Sequence, residues 1–138
     1  MKPLRVVVDC NIFISILIGG SMKPLRDFLF SERVRLVISE ELLAELADVW
    51  ERSHVRKYFD DDKLHAFISL LREYGDLVDD PATRPKIARD PDDDYLLALS
   101  KKAKAAVLVT GDKGLLVLGD HGRTRIMQPR DFLKEFMA

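Results

Sequence analysis

The feature of the sequence that most limits the fold is the alternation of short apolar strands with amphipathic helices. The run Val6, Val7, Val8 is β-branched and too short for a helix, so it predicts a buried strand over residues 4–8. Similar runs predict strands at 35–38, 105–110 and 124–127, and the predicted helices between and after them include 23–30, 61–74, 92–103, 113–118 and 129–136. Strands separated by helices pair in parallel through right-handed crossovers. The pattern therefore predicts an α/β fold, a three-layer α/β/α sandwich with a central parallel sheet of about four to five strands.

Length and composition fit one domain over residues 1–138. The chain is 47% hydrophobic, which is enough to build a core, and we find no linker or internal repeat. The start of the chain lacks the apolar stretch of a signal peptide, and no window approaches the roughly 18 apolar residues of a membrane span. We therefore expect a cytoplasmic protein that does not use a membrane. Cys10 is the only cysteine, which excludes an intramolecular disulfide and a thiolate zinc site.

The charge balance limits how the chain could contact a nucleic acid. With 22 basic and 23 acidic residues, the protein has no bulk positive field to attract a polyanion. Any contact with a phosphate backbone must be local. The candidates for a local basic rim are Arg5, Arg26, Arg52, Arg56, Lys57 and Lys113.

Acidic residues stand where strands end and helices begin. Asp9 directly follows the first predicted strand, and Asp112 lies in the Thr-Gly-Asp turn after the strand at 105–110. Asp94 lies near the start of the helix before that strand, and Glu45 flanks the apolar stripe of the helix that Ser39 opens. In open parallel sheets, ligands bind outside the carboxyl ends of the strands. We therefore expect Asp9, Glu45, Asp94 and Asp112 to converge on one crevice.

Four carboxylates in one crevice would repel one another unless a cation neutralised them. Oxygen ligands without a cysteine or a histidine pair favour a hard ion, so Mg²⁺ or Mn²⁺ fits better than Zn²⁺. Such a site, with one or two ions, suits metal-assisted hydrolysis of a phosphodiester. Each acid also has a simpler explanation: Asp9 or Asp94 as a helix cap or dipole partner, Glu45 as a solvent-facing residue, and Asp112 as a turn residue.

Four segments in order resemble the motifs of PIN-domain nucleases. VVVDCNIFIS resembles their opening strand, and LVISEELLAELADVW resembles the second motif with its helical glutamate. RDPDDDYLLALSKKAKAAVLVTGDKGLL resembles the third and fourth motifs together, and IMQPRDFL resembles the terminal strand and helix. The likeness covers almost the whole chain. It is greatest to the bacterial and archaeal PIN proteins that are toxin components (VapC-like) of toxin–antitoxin pairs.

The resemblance implies an endoribonuclease that uses Mg²⁺ or Mn²⁺. Asp9, Glu45, Asp94 and Asp112 would be both catalytic residues and metal ligands, and Asn11 would orient Asp9 or the attacking water. Thr110 or Ser39 would supply supporting hydrogen bonds. Asp94 matches the family better than Asp92 or Asp93, because the apolar run YLLAL starts directly after it. The resemblance further implies an RNA substrate, a homodimer and a cognate antitoxin protein.

Two alternatives remain open at the level of sequence. A receiver-like or phosphatase-like α/β domain also gathers aspartates and Mg²⁺ at strand ends, and it would use Asp9 with a lysine such as Lys113. That alternative leaves the Glu45 motif unexplained. The second alternative is a module of the same fold that binds RNA or a protein partner without catalysis. An intact set of acids speaks against it.

Overall fold

We describe the protein from a computed structural model that covers residues 2–57 and 59–137. Over these residues the chain forms six strands and seven α-helices. The strands are β1 (Leu4–Val8), β2 (Val34–Ile38), β3 (Asp76–Leu77), β4 (Val107–Val109), β5 (Asp120–His121) and β6 (Thr124–Met127). The helices are α1 (Cys10–Ile18), α2 (Lys23–Leu29), α3 (Glu40–Arg52), α4 (Asp61–Tyr74), α5 (Pro91–Lys102), α6 (Lys113–Leu116) and α7 (Pro129–Phe136).

The sheet has the order β3-β2-β1-β4-β6-β5, and only the edge pair β5–β6 is antiparallel. The predicted α/β sandwich is thus confirmed, but the sheet has six strands instead of four or five. The two additional strands, β3 and β5, have two residues each, too few to show a periodic pattern in the sequence.

The order of the strands divides the helices between the two faces of the sheet. From β1 the chain moves to β2 and then to β3 in one direction, and α5 then carries it back past β1 to β4. Because such crossovers are right-handed, α5 covers the face opposite to α1 to α4. The direction of winding reverses between β1 and β4, which creates a crevice at their carboxyl ends.

Both faces of the central strands are covered. Residues Val6 to Val8 of β1 and Val107 to Val109 of β4 are fully buried, as expected for parallel strands between helical layers. Trp50, Phe13 and Phe132 are the largest fully buried side chains of the surrounding core. Cys10 is buried and its Sγ donates to the Leu42 carbonyl, in agreement with a packing role.

Side chains that cap helices place polar groups at the carboxyl edge of the sheet. Asp9 caps α1 by accepting from the Asn11 amide, and Ser39 caps α3 as predicted by accepting from the Leu42 amide. Asp112 caps α6, and Asp90 caps α5. A cap residue has extended backbone geometry directly before the first helical turn, so its side chain stays at the strand-to-helix junction. None of the helices in the described ranges is long and apolar enough to cross a membrane.

Candidate active site

Asp9 and Thr110 lie side by side because β1 and β4 pair in register. Val8 is opposite Val109, and the Asp9 amide donates to the Val109 carbonyl at 3.0 Å. One residue beyond Val109, the Thr110 hydroxyl donates to Asp9 Oδ2 at 2.8 Å and accepts from the Asp112 amide at 3.0 Å. Thr110 thus joins the acid after β1 to the turn after β4.

A cavity of about 620 Å³ opens at this edge of the sheet. Asp9, Glu45 and Asp112, three of the four predicted site residues, line it. Its wall is strongly acidic, with seven carboxylate residues among its lining: Asp9, Glu41, Glu45, Asp90, Asp92, Asp93 and Asp112. They come from the cap of α1, from α3, from α5 with its cap, and from the cap of α6.

The fourth predicted residue, Asp94, does not line the cavity in the described structure. Its Oδ1 instead accepts hydrogen bonds from the backbone amides of Ile87 at 3.1 Å and Ala88 at 2.7 Å. Successive helical residues point about 100° apart, so a shift of one position along α5 moves a side chain from the cavity to the neighbouring loop. Asp93 faces the cavity in its place. The side-chain directions in α5 thus bring Asp93 to the cavity and turn Asp94 towards the loop before the helix.

The carboxyls of Asp93 and Asp112 form the most perturbed pair of the site. Burial and the neighbouring Asp112 raise the pKa of Asp93 to about 8. The hydrogen bond from Asp93, together with the Gly114 amide, lowers the pKa of Asp112. The two carboxyls therefore resist ionising together, as expected where like charges meet in one site.

Two of the predicted acids, Asp9 and Glu45, have raised pKa values. For Asp9 the main cause is burial, partly offset by the hydrogen bonds from Thr110 and Asn11, and Asp112 and Asp90 raise the pKa further. For Glu45 burial again acts first, followed by the negative charge of Asp92 and Asp48. Ionising this site without a counter-ion therefore costs free energy.

The structure separates the residues that were expected to support the acids. Asn11 lines the cavity, and its backbone amide donates to Asp9 Oδ1 at 3.1 Å. Among the hydrogen bonds of the described residues, none joins Ser39 to the four predicted acids. Its hydroxyl accepts from the Leu42 amide at 3.1 Å and is hydrogen-bonded to the Tyr95 hydroxyl. Ser39 therefore belongs to a neighbouring cluster that fixes Tyr95.

Two arginines are the cations that line the cavity in the described part of the chain, Arg52 and Arg84. Arg52 is the single member of the predicted basic rim found there, and it pairs with Glu45 at 3.6 Å and with Asp48 at 3.0 Å. Arg5 lies at the other end of β1 and binds Asp76 at 2.8 Å. Arg84 was missed by sequence reasoning, because its loop gives no periodic pattern that could orient it.

The donor set suits a hard divalent cation. All the candidate ligands are carboxylates, and two of them, Asp93 and Asp112, are close enough to share a proton that a cation could replace. Mg²⁺ often binds proteins through one or two carboxylates and completes its shell with water and substrate phosphate. Within the described residues, no group of three or more acidic, histidine or cysteine side chains lies close enough together to bind one metal ion. The residues therefore fit a cation held mainly by a carboxylate pair.

Comparison with known proteins places the chain in a wider context. A family model described as "PIN domain" matches residues 5–114. The uncharacterized protein MJ1680 of Methanocaldococcus jannaschii is 27% identical over 145 residues, covering 96% of this chain and 92% of that protein. Among solved structures, the fold is similar to that of a chain in the crystal structure of VapBC2 from Rickettsia felis, which is bound to a DNA fragment from the VapBC2 promoter. That match has a TM-score of 0.63 at 13% identity and covers 91% of this chain and 98% of the other.

Proposed function

This chain belongs to the PIN-domain family, and on that premise we propose that it is a metal-dependent endoribonuclease that hydrolyses RNA phosphodiester bonds. PIN domains are generally nucleases that use divalent metal ions. The family membership also removes the support for a receiver-like or phosphatase-like domain, and Lys113 is not among the cavity's lining residues. The ion we propose is Mg²⁺ or Mn²⁺.

The observation that carries the proposal is the Asp93–Asp112 pair facing the same cavity as Asp9. Two neighbouring carboxyls that resist ionising together, next to a third buried carboxyl, favour the binding of a positive charge. The cavity is open to solvent, so a phosphodiester can reach it. In a purely structural cluster, we would expect arginine or lysine side chains to neutralise the buried carboxylates. The described hydrogen-bond partners of Asp9 are instead neutral donors, the Asn11 amide and the Thr110 hydroxyl.

In the proposed reaction the chain's own residues hold the cation and orient its carboxylate ligands. Asp93 and Asp112 would be the main holders of the cation, with Asp9 beside them and Glu45 at the edge of the site. When bound, that ion would supply an activated water and stabilise negative charge on the phosphate. The Thr110 hydroxyl fixes one oxygen of Asp9 and the Asn11 amide fixes the other, so the carboxylate keeps one orientation.

The biological setting is also a proposal. The fold match to VapBC2 of Rickettsia felis and the family membership support a VapC-like toxin paired with an antitoxin protein. We propose in addition a homodimer and a cytoplasmic location, as the sequence resemblance implies. An antitoxin would act most directly by covering the acidic cavity.

The test is cleavage of pooled single-stranded RNA by purified protein with Mg²⁺ or Mn²⁺, compared with EDTA. We expect cutting that requires the ion and that falls by at least about 100-fold in Asp9→Asn. Asp62→Asn is the matched control, because Asp62 is in the first turn of α4 and does not line the cavity. Cutting that survives EDTA or Asp9→Asn would contradict the proposal. A folded protein that binds RNA without cutting it would favour the non-catalytic module.

A further inference from the structure

A second cavity, of about 720 Å³, adjoins the acidic one, and Arg84 lines both. We call it the basic groove. It is defined by Arg84, Lys101, Lys102 and His121 together with the apolar side chains of the loop before α5. Among the described residues that line it, none is acidic. In a chain whose net charge is −1, this local excess of positive charge singles the groove out.

Arg84 is held in place at the border between the two cavities. Its Nη2 donates to Glu41 Oε2 at 2.5 Å, and its guanidinium lies 4.8 Å from the centre of the Tyr95 ring. The ring is fixed in turn, because the Tyr95 hydroxyl donates to Asp80 Oδ1 at 2.5 Å. An arginine held on a rigid aromatic ring loses less side-chain entropy when it binds an anion.

The loop that carries Arg84 is tied to α5 at two further points. Asp94 accepts from the amides of Ile87 and Ala88, and Lys102 Nζ donates to the Asp80 carbonyl at 3.1 Å. These contacts give Asp94 a clear role outside the acidic cavity: it fixes the loop between the cavity and the basic groove. The position of Arg84 is therefore set by α5 itself.

The two cavities are spaced suitably for a nucleic-acid strand. Asp93 is in the first turn of α5 and Lys101 is in its last turn. At 1.5 Å per residue these positions are about 12 Å apart along the helix axis. A single strand of a few nucleotides is long enough to reach from one of these positions to the other.

We propose that the basic groove binds the RNA backbone on one side of the cleaved bond and that Arg84 holds the phosphate at the border. This inference rests on the proposed function, since it takes RNA as the substrate. The guanidinium has five donors in a planar fork and can bind two phosphate oxygens at once. Arg84 is thus a positioning residue: it anchors the strand, and the acids of the adjoining cavity meet the next phosphodiester.

The test is the affinity of the full-length protein for a short fluorescein-labelled single-stranded RNA, measured by anisotropy at several salt concentrations. Asp93→Asn serves as the background so that the RNA stays intact in Mg²⁺. We expect Arg84→Ala to weaken binding about tenfold. We also expect Arg84→Ala and Lys101→Ala each to reduce the slope of log K against log salt by about 0.7.

Arg72→Ala is the matched control. Arg72 forms the same type of ion pair with a glutamate of α3, Glu40, at 2.7 Å, but it lines neither cavity. Its loss should change affinity by less than about twofold. Thermal melting of each variant, measured beside the binding, identifies a loss of affinity that comes from unfolding.

The outcomes separate this proposal from the enzymatic one. If the wild-type protein cuts RNA but Arg84→Ala and Lys101→Ala bind like Arg72→Ala, the basic groove is not an RNA site, and an acidic protein segment becomes the ligand to seek. If the wild-type protein does not cut RNA, yet these two variants lose affinity, the groove is supported and the nuclease is not. A wild-type protein that neither binds nor cuts RNA overturns both.

Discussion

At the scale of single residues, two adjacent aspartates at the start of α5 do different work. Asp93 faces the acidic cavity, where burial and the neighbouring Asp112 raise its pKa. Asp94 accepts from two loop amides and holds the segment that carries Arg84. Both side chains are buried, so burial alone does not distinguish them. Their surroundings do: Asp93 lines the acidic cavity and is the one we propose for the chemistry, whereas Asp94 binds the loop amides.

Replacing each aspartate separately tests this division. Asp93→Asn should lower RNA cleavage by at least about 100-fold while the protein melts normally, since the change removes a charge from the proposed metal site. Asp94→Asn keeps an oxygen acceptor for the loop amides and should retain cleavage to within about threefold. Single-turnover cleavage and thermal melting measure the two effects.

Asp94→Ala tests whether Asp94 stabilises the loop before α5. This change leaves the Ile87 and Ala88 amides without their acceptor and should lower the free energy of unfolding by about 2 kcal/mol. Chemical denaturation of Asp94→Ala beside Asp94→Asn gives the comparison. The assignment is wrong if Asp94→Asn abolishes cleavage in a protein that melts like the wild type and Asp93→Asn does not.

At the scale of helices and strands, periodicity predicted most of the long elements, whereas α1 with its nine apolar-rich residues and the short strands depend on tertiary contacts. The strand at 4–8, the helix at 61–74 and the closing helix at 129–136 have the bounds expected from their apolar patterns. Strands β3 and β5 exist only through pairing with β2 and β6 and have no pattern of their own. The ends of the predicted strands indicated that Asp9 and Asp112 lie at this edge of the sheet. That Asp93 and Arg84 also line the cavity depends on side-chain direction and loop packing, which the sequence pattern does not give.

At the end of α4, Gly75 lies in close contact with Ile38 of β2. Gly75 is the C-cap residue of α4, and the neighbouring atoms give a reason for glycine there. A Cβ at this position would lie 2.5 Å from the Leu71 carbonyl oxygen and 2.6 Å from Ile38 Cγ1. The close approach brings the chain from α4 directly into β3 beside β2.

We predict that Gly75→Ala lowers the free energy of unfolding by about 1–3 kcal/mol, because the added methyl group forces α4 away from β2. Urea denaturation followed by circular dichroism measures it. Gly111→Ala is the control, since the nearest atom to a Cβ there, Ile12 Cδ1, is 4.0 Å away. Equal stability of Gly75→Ala and Gly111→Ala would show that α4 can shift without cost.

At the scale of the whole molecule, the acidic cavity links stability to pH and to divalent cations. The pKa of Asp93 is raised from 3.8 to about 8 by burial and by Asp112, and the pKa values of Asp9 and Glu45 are also raised. Between the unfolded and folded pKa values the folded protein binds more protons, so its stability falls as pH rises. Carboxyls with lowered pKa values, such as Asp112, act in the opposite direction but only at acid pH.

The melting temperature in EDTA should therefore decrease from about pH 5 to about pH 8. Added Mg²⁺ should raise it more at the upper end of that range, where the ion no longer competes with the proton on Asp93. Scanning fluorimetry measures both effects, with NaCl of equal ionic strength as the control for screening. Asp93→Asn should flatten the pH profile, and an Mg²⁺ effect that does not depend on pH would count against the carboxylate pair as the binding site.

The central claim is that the carboxylates gathered at the ends of β1 and β4 and the start of α5 hold a divalent ion. The measurement that tests it most directly is anomalous diffraction from crystals grown with Mn²⁺. The account predicts a peak in the acidic cavity, with carboxylate oxygens of Asp9, Asp93 or Asp112 about 2.2 Å away, and its loss in Asp93→Asn. Mn²⁺ bound by Asp94, Mn²⁺ found only outside the cavity, or a cavity without a peak would contradict it.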